Sequence, residues 1–416
     1  MIKRTLLVSA FILLSSCAKV QEDGLVLVQI QDRNGISETV SVPERLQAYS
    51  RVDFLSSQPY KQVLRVYRTE GQAHSLLTTY HPNGSPWQYL EAKEMRAHGA
   101  FRQWFPNGVQ QIEATVIGGV ADLAMGSQKS WLFEGISKVW DEEGRLVAVI
   151  PYEKGALSGT SVYYYPSGGI KEEIPYSQDS VEGEAREFWE EGQIKSKSFF
   201  SGGKKQGESV SLWPNGDVCW KEQYRDGLLW EGRYFLPSQE MVCEVKEGEG
   251  VSACFEGKRL AQLCEIRNGK VEGLIQIFDE KGKLASQYQL KDGKRHGEEI
   301  LYYPGGQSPK LSISWDADTI HGTIKTWYEN NQLQSQRDMV RNKRVGSSLA
   351  WYRDGTLMLV EEYENDCLEK GRYFRKKGRD PVSTVTNGTG IATLYDEEGA
   401  LLHKVQYIKG KPIDPD

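Results

Sequence analysis

TSVYYYPSGGIKEEIPYSQDSVEG, residues 160–183, runs directly into EAREFWEEGQIKSKSFFSGGKKQG, residues 184–207, and then into ESVSLWPNGDVCWKEQYRDGLLWEG, residues 208–232. Each unit passes from an aromatic-rich segment through a Gly turn to a second segment ending in an aromatic, and closes on a loop ending in Gly. The turn glycines fall at Gly84, Gly108, Gly144, Gly168, Gly192 and Gly216, then at Gly282, Gly306, Gly355 and Gly399. Four of the first five intervals are 24 residues, and the fifth, from Gly108 to Gly144, is one unit with a 12-residue insertion. In WYENNQL the turn position is Asn331, one of the few residue types that accept a left-handed backbone. A repeat of this length is one supersecondary unit that must stack on its neighbours to bury an apolar face.

The closing glycines form two series: Gly135, Gly159, Gly183, Gly207 and Gly232, then Gly273, Gly297, Gly322, Gly346 and Gly371. The two run in parallel at an offset of 138 or 139 residues, so the array is duplicated as a block. The junctions agree, since GRYFLPSQEMVCEVKEGEG after Glu231 has its counterpart in GRYFRKKGRDPVSTVTNGTG after Lys370.

Within a unit the period is that of a strand. From Gly169 to Tyr176, Ile170, Ile174 and Tyr176 fall on one side of a pleat while Lys171 and Glu173 fall on the other. Turn tetrapeptides such as YPSG, WPNG, FPNG and YRDG carry the residues of tight hairpins. Two glycine-bearing turns per unit leave no room for an ordinary helix, so the expectation is one β-hairpin per unit. The fold class is all-β, an elongated antiparallel meander of hairpin repeats, each advancing the sheet by about 10 Å.

Residues 1–16, MIKRTLLVSAFILLSS, have two positive charges, an apolar run and small residues, the pattern of a signal peptide too short to span a membrane. Leu14-Ser15-Ser16-Cys17 resembles the lipobox of bacterial lipoproteins, and that resemblance implies lipidation of Cys17 after cleavage before it. Ala18, where Asp would imply inner-membrane retention, points to the outer membrane, with the chain facing the periplasm or the cell surface. A lipid-anchored segment with short strands then occupies 17–59 and the repeat array 60–416, with duplicated blocks at about 135–272 and 273–416. Composition gives 51 Lys and Arg against 57 Asp and Glu, a formal net charge of −6. The charges alternate along the strands, which excludes the clustered cations of a nucleic-acid binder.

Chemistry is hard to find. After Cys17 there remain Cys219, Cys243, Cys254, Cys264 and Cys367, an odd number for an oxidising compartment. In MVCEVKEGEGVSACF a turn near Gly248 sets Cys243 opposite Cys254, the best candidate for a disulfide. No metal-ligand spacing is present. His98, His296 and His321 precede closing glycines and are explained by repeat position, while His74, His81 and His403 are scattered without a nucleophile pattern. No constellation of acid and base breaks the repeat, so no catalytic residue and no cofactor are assigned, and the chain reads as a non-enzyme.

The unit aromatic-aromatic-P-x-G-x-apolar, closing on a Gly-containing loop, resembles the variant MORN repeat over about residues 60–410, most clearly in WPNGDVCWKEQYRDGLLWEG and FDEKGKLASQYQLKDGKRHG. Bacterial chains of such units are grouped with the YwqK-like antitoxin family. The resemblance implies a sheet of hairpins that serves as an interaction surface without catalytic residues. With the lipobox, the reading is a non-catalytic envelope lipoprotein, a scaffold for a protein partner. The alternatives are a carbohydrate- or peptidoglycan-binding module, suggested by Tyr and Trp repeated along one face, and an antitoxin-like neutralising binder.

Overall fold

The computed structural model describes residues 24–69 and 72–413. The chain divides into two compact units, Met1–Val181 and Glu182–Asp416. Both are all-β antiparallel meanders, and the only helices among the described residues are the single turns Pro43–Leu46 and Met125–Gln128. In the first unit Leu25–Gln31 pairs with Ser37–Val40 on one side and with Gln62–Thr69 on the other, after which each strand pairs with its neighbour in sequence. The second unit follows the same rule from Gly183–Phe188 to Lys411–Ile413.

Two turn types alternate. At one edge the first turn residue donates its amide to the carbonyl four residues on, as in His81 to Ser85 and Tyr352 to Thr356, both 2.8 Å. The turn glycine donates back to the first residue, from Gly84 to His81 at 2.9 Å and from Gly355 to Tyr352 at 2.8 Å. These are type I turns whose last residue is left-handed and bulges the following strand, with φ of 93° at Gly84, 83° at Gly355 and 65° at Asn331. The Gly-to-Asn exchange therefore keeps the backbone state that the sequence required.

The opposite edge differs from expectation. The closing glycines are not in the closing turns, which lie four to six residues upstream and contain two residues with positive φ: Gln178 and Asp179 at 47° and 65°, Asp226 and Gly227 at 51° and 80°, Arg341 and Asn342 at 49° and 66°. Such two-residue turns match the right-handed twist of paired strands. Gly207 and Gly322 stand inside the next strand where the register shifts, while Gly159 and Gly183 open a strand, all four at positive φ. Gly232 and Gly371 serve close approach instead: a Cβ there would lie 2.9 Å from the Tyr234 hydroxyl and 2.6 Å from that of Tyr373.

The residue two places beyond a closing glycine is the core position, buried as Phe101, Ser161, Ser209, Tyr234, Ile275, Ile324 and Tyr373 and half-buried as Ala185 and Ser348. The expected dry and wet faces are not distinguished by burial in the strand Ile170–Ser177: Glu173 and Ile174 are both half-buried, and Ile170, at the turn edge, is exposed. Side chains there are covered by cross-strand neighbours, not by a second layer.

Non-repetitive segments supply that layer in the first unit. Leu46 and Phe54 pack with Val28, Ile30, Val63 and Tyr80. The 12-residue insertion folds back so that Leu123 and Trp131 join Leu90, Phe101 and Val116, with the Trp131 and Phe101 ring centroids 4.9 Å apart. In the second unit the cores centre on Leu229, Tyr234 and Val245 and on their block counterparts Leu368, Tyr373 and Val385.

Repeat stability is approximately a sum of unit and neighbour terms. Deleting residues 322–345 joins His321 to Gly346 and presents Trp351 and Asp366 where Trp327 and Asn342 stood. The variant is expected to keep its β circular dichroism and a cooperative melt. Deleting residues 322–333, half a unit, reverses the sense of the later strands and is expected to abolish that cooperativity.

Candidate functional site

The turn edge is tied from unit to unit by its first aromatic residue. Tyr303 donates its hydroxyl to the Trp327 carbonyl at 2.7 Å, Tyr328 to that of Trp351 at 2.9 Å, and Tyr352 to that of Phe374 at 2.8 Å. Trp189 donates its indole N–H to Leu212 at 3.3 Å, and His81 Nε2 lies 2.9 Å from the Trp104 carbonyl. Each acceptor immediately precedes the next turn. His81, unassigned by motif, thus occupies the aromatic ladder position. Turn asparagines form a second ladder, from Asn83 to Pro106, Asn107 to Glu142 and Asn330 to Arg353 at 2.8–3.1 Å.

The opposite edge is tied through turn side chains. Asp179, Asp318, Asn342 and Asp366 accept from the amides of Leu157, Arg295, Ile320 and Arg344 at 2.8–2.9 Å. The residue before a closing glycine accepts from the next closing turn, as Glu182 does from Gly202 and Gln206 from Asp226.

Between these edges the two faces differ. One carries exposed ion pairs, among them Lys221 with Glu208 and Arg267 with Glu265, both 2.7 Å, and Lys370 with Glu362 at 3.0 Å. Such pairs contribute solubility more than stability. The other face carries the core positions and, two residues after most turn glycines though not at Gln110 or Ser308, an apolar side chain. These include Leu146 and Ile170 in the first unit and Ile194, Val218, Leu284, Leu357 and Leu401 in the second, with Ile194 38% and Leu401 56% exposed. Ile170, Ile194 and Leu401 of this row are exposed, while Leu146, Val218, Leu284 and Leu357 are half-buried.

The same face holds two duplicated carboxylate clusters that motif reading missed. Tyr224 and Tyr234 donate to the two oxygens of Glu222 at 2.8 and 2.7 Å, and Tyr363 and Tyr373 to those of Glu361 at 3.1 and 2.8 Å. The signal was present as E-x-Y followed by G-R-Y-F in both blocks. Glu361 is buried, and Arg344 Cζ lies 4.4 Å from the Tyr363 ring centroid. Desolvation raises its pKa against the two phenol bonds and Arg344. With both oxygens held by phenols, each carboxylate braces the fold.

Cys17 and the signal-like segment lie outside the described residues. The cysteines from Cys219 to Cys367 carry free thiols. The hairpin joining Met241–Lys246 to Glu249–Glu256 turns at Glu247 and Gly248, with Val245 opposite Gly250. Cys243 is paired in register with Tyr234 and Cys254 with Gln262. Burial, then the neighbouring Cys254, pushes the Cys243 thiol up to about 12. Cys254 is exposed, and a hydrogen bond with Cys264, diagonal to it on the next strand, lowers it to about 7, while Cys264 is raised by the same contact and by burial. Among the described residues no group of three or more His, Cys, Asp or Glu side chains could hold a metal ion, and no helix is long and apolar enough to cross a membrane.

Hairpins bonded to one another at both edges define a β-hairpin repeat protein. Three of its segments, residues 157–178, 181–201 and 320–340, match the MORN repeat variant, and MORN repeats suggest a repeat-based binding scaffold. No curated protein matches the chain. Among solved structures it is similar to a porin-like protein from Bacteroides uniformis, 11% identical over 58% of this chain and 94% of that one, with a TM-score of 0.16. It is also similar to the Tc holotoxin pore of Photorhabdus luminescens, 10% identical over 92% of this chain and 25% of that one, with a TM-score of 0.12. Neither likeness bears on function.

A carboxyl whose pKa is raised on folding adds stability that is fully present below its unfolded value, near 4.5 for Glu361, and is lost as pH rises through the folded value. In urea denaturation, the stability of wild type minus that of Glu361→Gln is therefore expected to fall as pH rises above about 4.5. A flat difference would contradict the burial argument. For the reduced protein near neutral pH, iodoacetamide is expected to modify Cys254 before Cys219, Cys243 or Cys264. Cys264→Ala should slow that reaction by roughly fivefold or more, because the thiolate fraction falls.

Proposed function

We propose that this chain is a non-catalytic envelope lipoprotein, anchored through acylated Cys17, whose hairpin array is a scaffold for a protein partner. The observation that carries the scaffold reading is the apolar side chain that recurs two residues after most turn glycines and meets solvent at Ile170, Ile194 and Leu401. The LSSC sequence at residues 14–17 supports the anchor. Two or more acyl chains hold firmly to a bilayer, since each buried methylene contributes about 0.8 kcal/mol. The outer membrane is the favoured location because Ala18 follows the cysteine. In an oxidising compartment this reading includes a bridge between Cys243 and Cys254, which non-reducing peptide mapping of envelope-extracted protein would detect as linked peptides.

Metabolic labelling with an acyl analogue is expected to mark wild type and not Cys17→Ser, and the variant should leave the membrane fraction. Label in both forms would overturn the anchor. A photo-crosslinking residue at Ile194 or at Leu401 is expected to trap the same envelope protein. One at Lys221, on the ion-paired face, should trap none, and crosslinks from Lys221 alone would overturn the assignment of the face.

A further inference from the structure

We propose that the first unit carries a binding site for a carboxylated saccharide, separate from the repeated surface and independent of the scaffold reading. Where the segment before Gln62–Thr69 meets the turn after Gln72–Tyr80, the structure forms a cavity of about 540 Å³, lined among others by Arg33, Tyr60, Lys61, Gln62, Thr79 and Trp87. That size suits a small ligand of one or two rings.

Three observations define the ligand. Trp87 is 43% exposed although it lines the cavity, and the His81 ring, 5.6 Å away, is itself fixed to the Trp104 carbonyl. An indole presented in this way suits the apolar C–H face of a pyranose. Part of the floor is polar, formed by Gln62 and Thr79, which begin a row that continues away from the cavity through Gln88 and Gln103, each opposite the next in register on successive strands. Gln88 donates to Gln103 at 2.9 Å and Gln103 to Gln111 at 2.6 Å. Thr79 Oγ1 is buried without a hydrogen-bond partner at the cavity end of that row. A buried hydroxyl in that state wants a donor or acceptor from a ligand. Finally, Arg33 and Lys61 bring two cations and the named lining residues bring no carboxylate. Arg33 is held in place by bonds to the Pro59 and Pro82 carbonyls. Hydroxyls for the floor, a ring for Trp87 and a negative charge for the cations together describe an acidic sugar.

Calorimetry on the full chain tests this with four probes: the N-acetylglucosaminyl-N-acetylmuramic acid disaccharide, digalacturonate, neutral chitobiose and triglutamate. At least one acidic disaccharide is expected to bind at least tenfold more tightly than chitobiose, and which one binds separates a cell-wall source from a uronate polymer. Trp87→Ala should weaken binding tenfold or more. Lys61→Gln, at an exposed position that leaves the fold intact, should reduce both the affinity and its salt dependence. The proposal is overturned if neither acidic disaccharide binds, if chitobiose or triglutamate binds as tightly, or if both variants bind like wild type.

Discussion

The array depends on a backbone constraint: most of the described hairpins enter positive φ at both ends, once to close a bulged type I turn and twice to close a two-residue turn. Both geometries twist the hairpin in the sense that paired strands require. Each fixes register, so a slip at one turn would move a whole strand's core residues to the wet face. The required conformations fall on Gly at most turn-edge positions, with Asn331 substituting where Gly is absent, and at the other edge mostly on Asn, Asp or Gly at the second turn residue, while the first takes residues such as Gln178, Ala317 and Arg341.

Turns alone would give a string of independent hairpins, and isolated hairpins are marginal in water. Stacking is added by side chains that reach one unit onward: an aromatic or Asn at one edge, and Asp, Asn, Glu or Gln at the other. Each bond contributes about 1 kcal/mol net, and each positions the next turn for the next bond. Cohesion is therefore local, which explains how a chain of 416 residues holds together with little second-layer core.

Much of this was legible in the sequence because turn chemistry and strand period are local properties. The 24-residue spacing, the left-handed Asn331 and the block duplication all follow from residues close together in the chain. The placement of the closing turn was not legible, because glycine marks both a turn and a strand bulge, and Gln178–Asp179 carries no glycine to identify the turn. The carboxylate clusters escaped for another reason. Glu222 and Glu361 look like ordinary strand charges until cross-strand pairing sets Tyr234 and Tyr373 beside them. The cavity at Trp87 likewise brings Arg33 and Tyr60 to a turn far along the chain, a juxtaposition no spacing rule contains.

The core positions themselves show why the array resists conversion into a globular domain. Ser137, Ser161 and Ser209 occupy the site two residues beyond a closing glycine with buried hydroxyls that have no hydrogen-bond partner. Each such group costs free energy in a dry interior. Tyr234 and Tyr373, at the same repeat position, instead fill the space with a ring and satisfy the hydroxyl through a glutamate. The units with serine are thin and rely on their edges, while the units with tyrosine have a true interior. The duplication kept the Glu–Tyr pairing intact in both copies, at Glu222 with Tyr234 and at Glu361 with Tyr373.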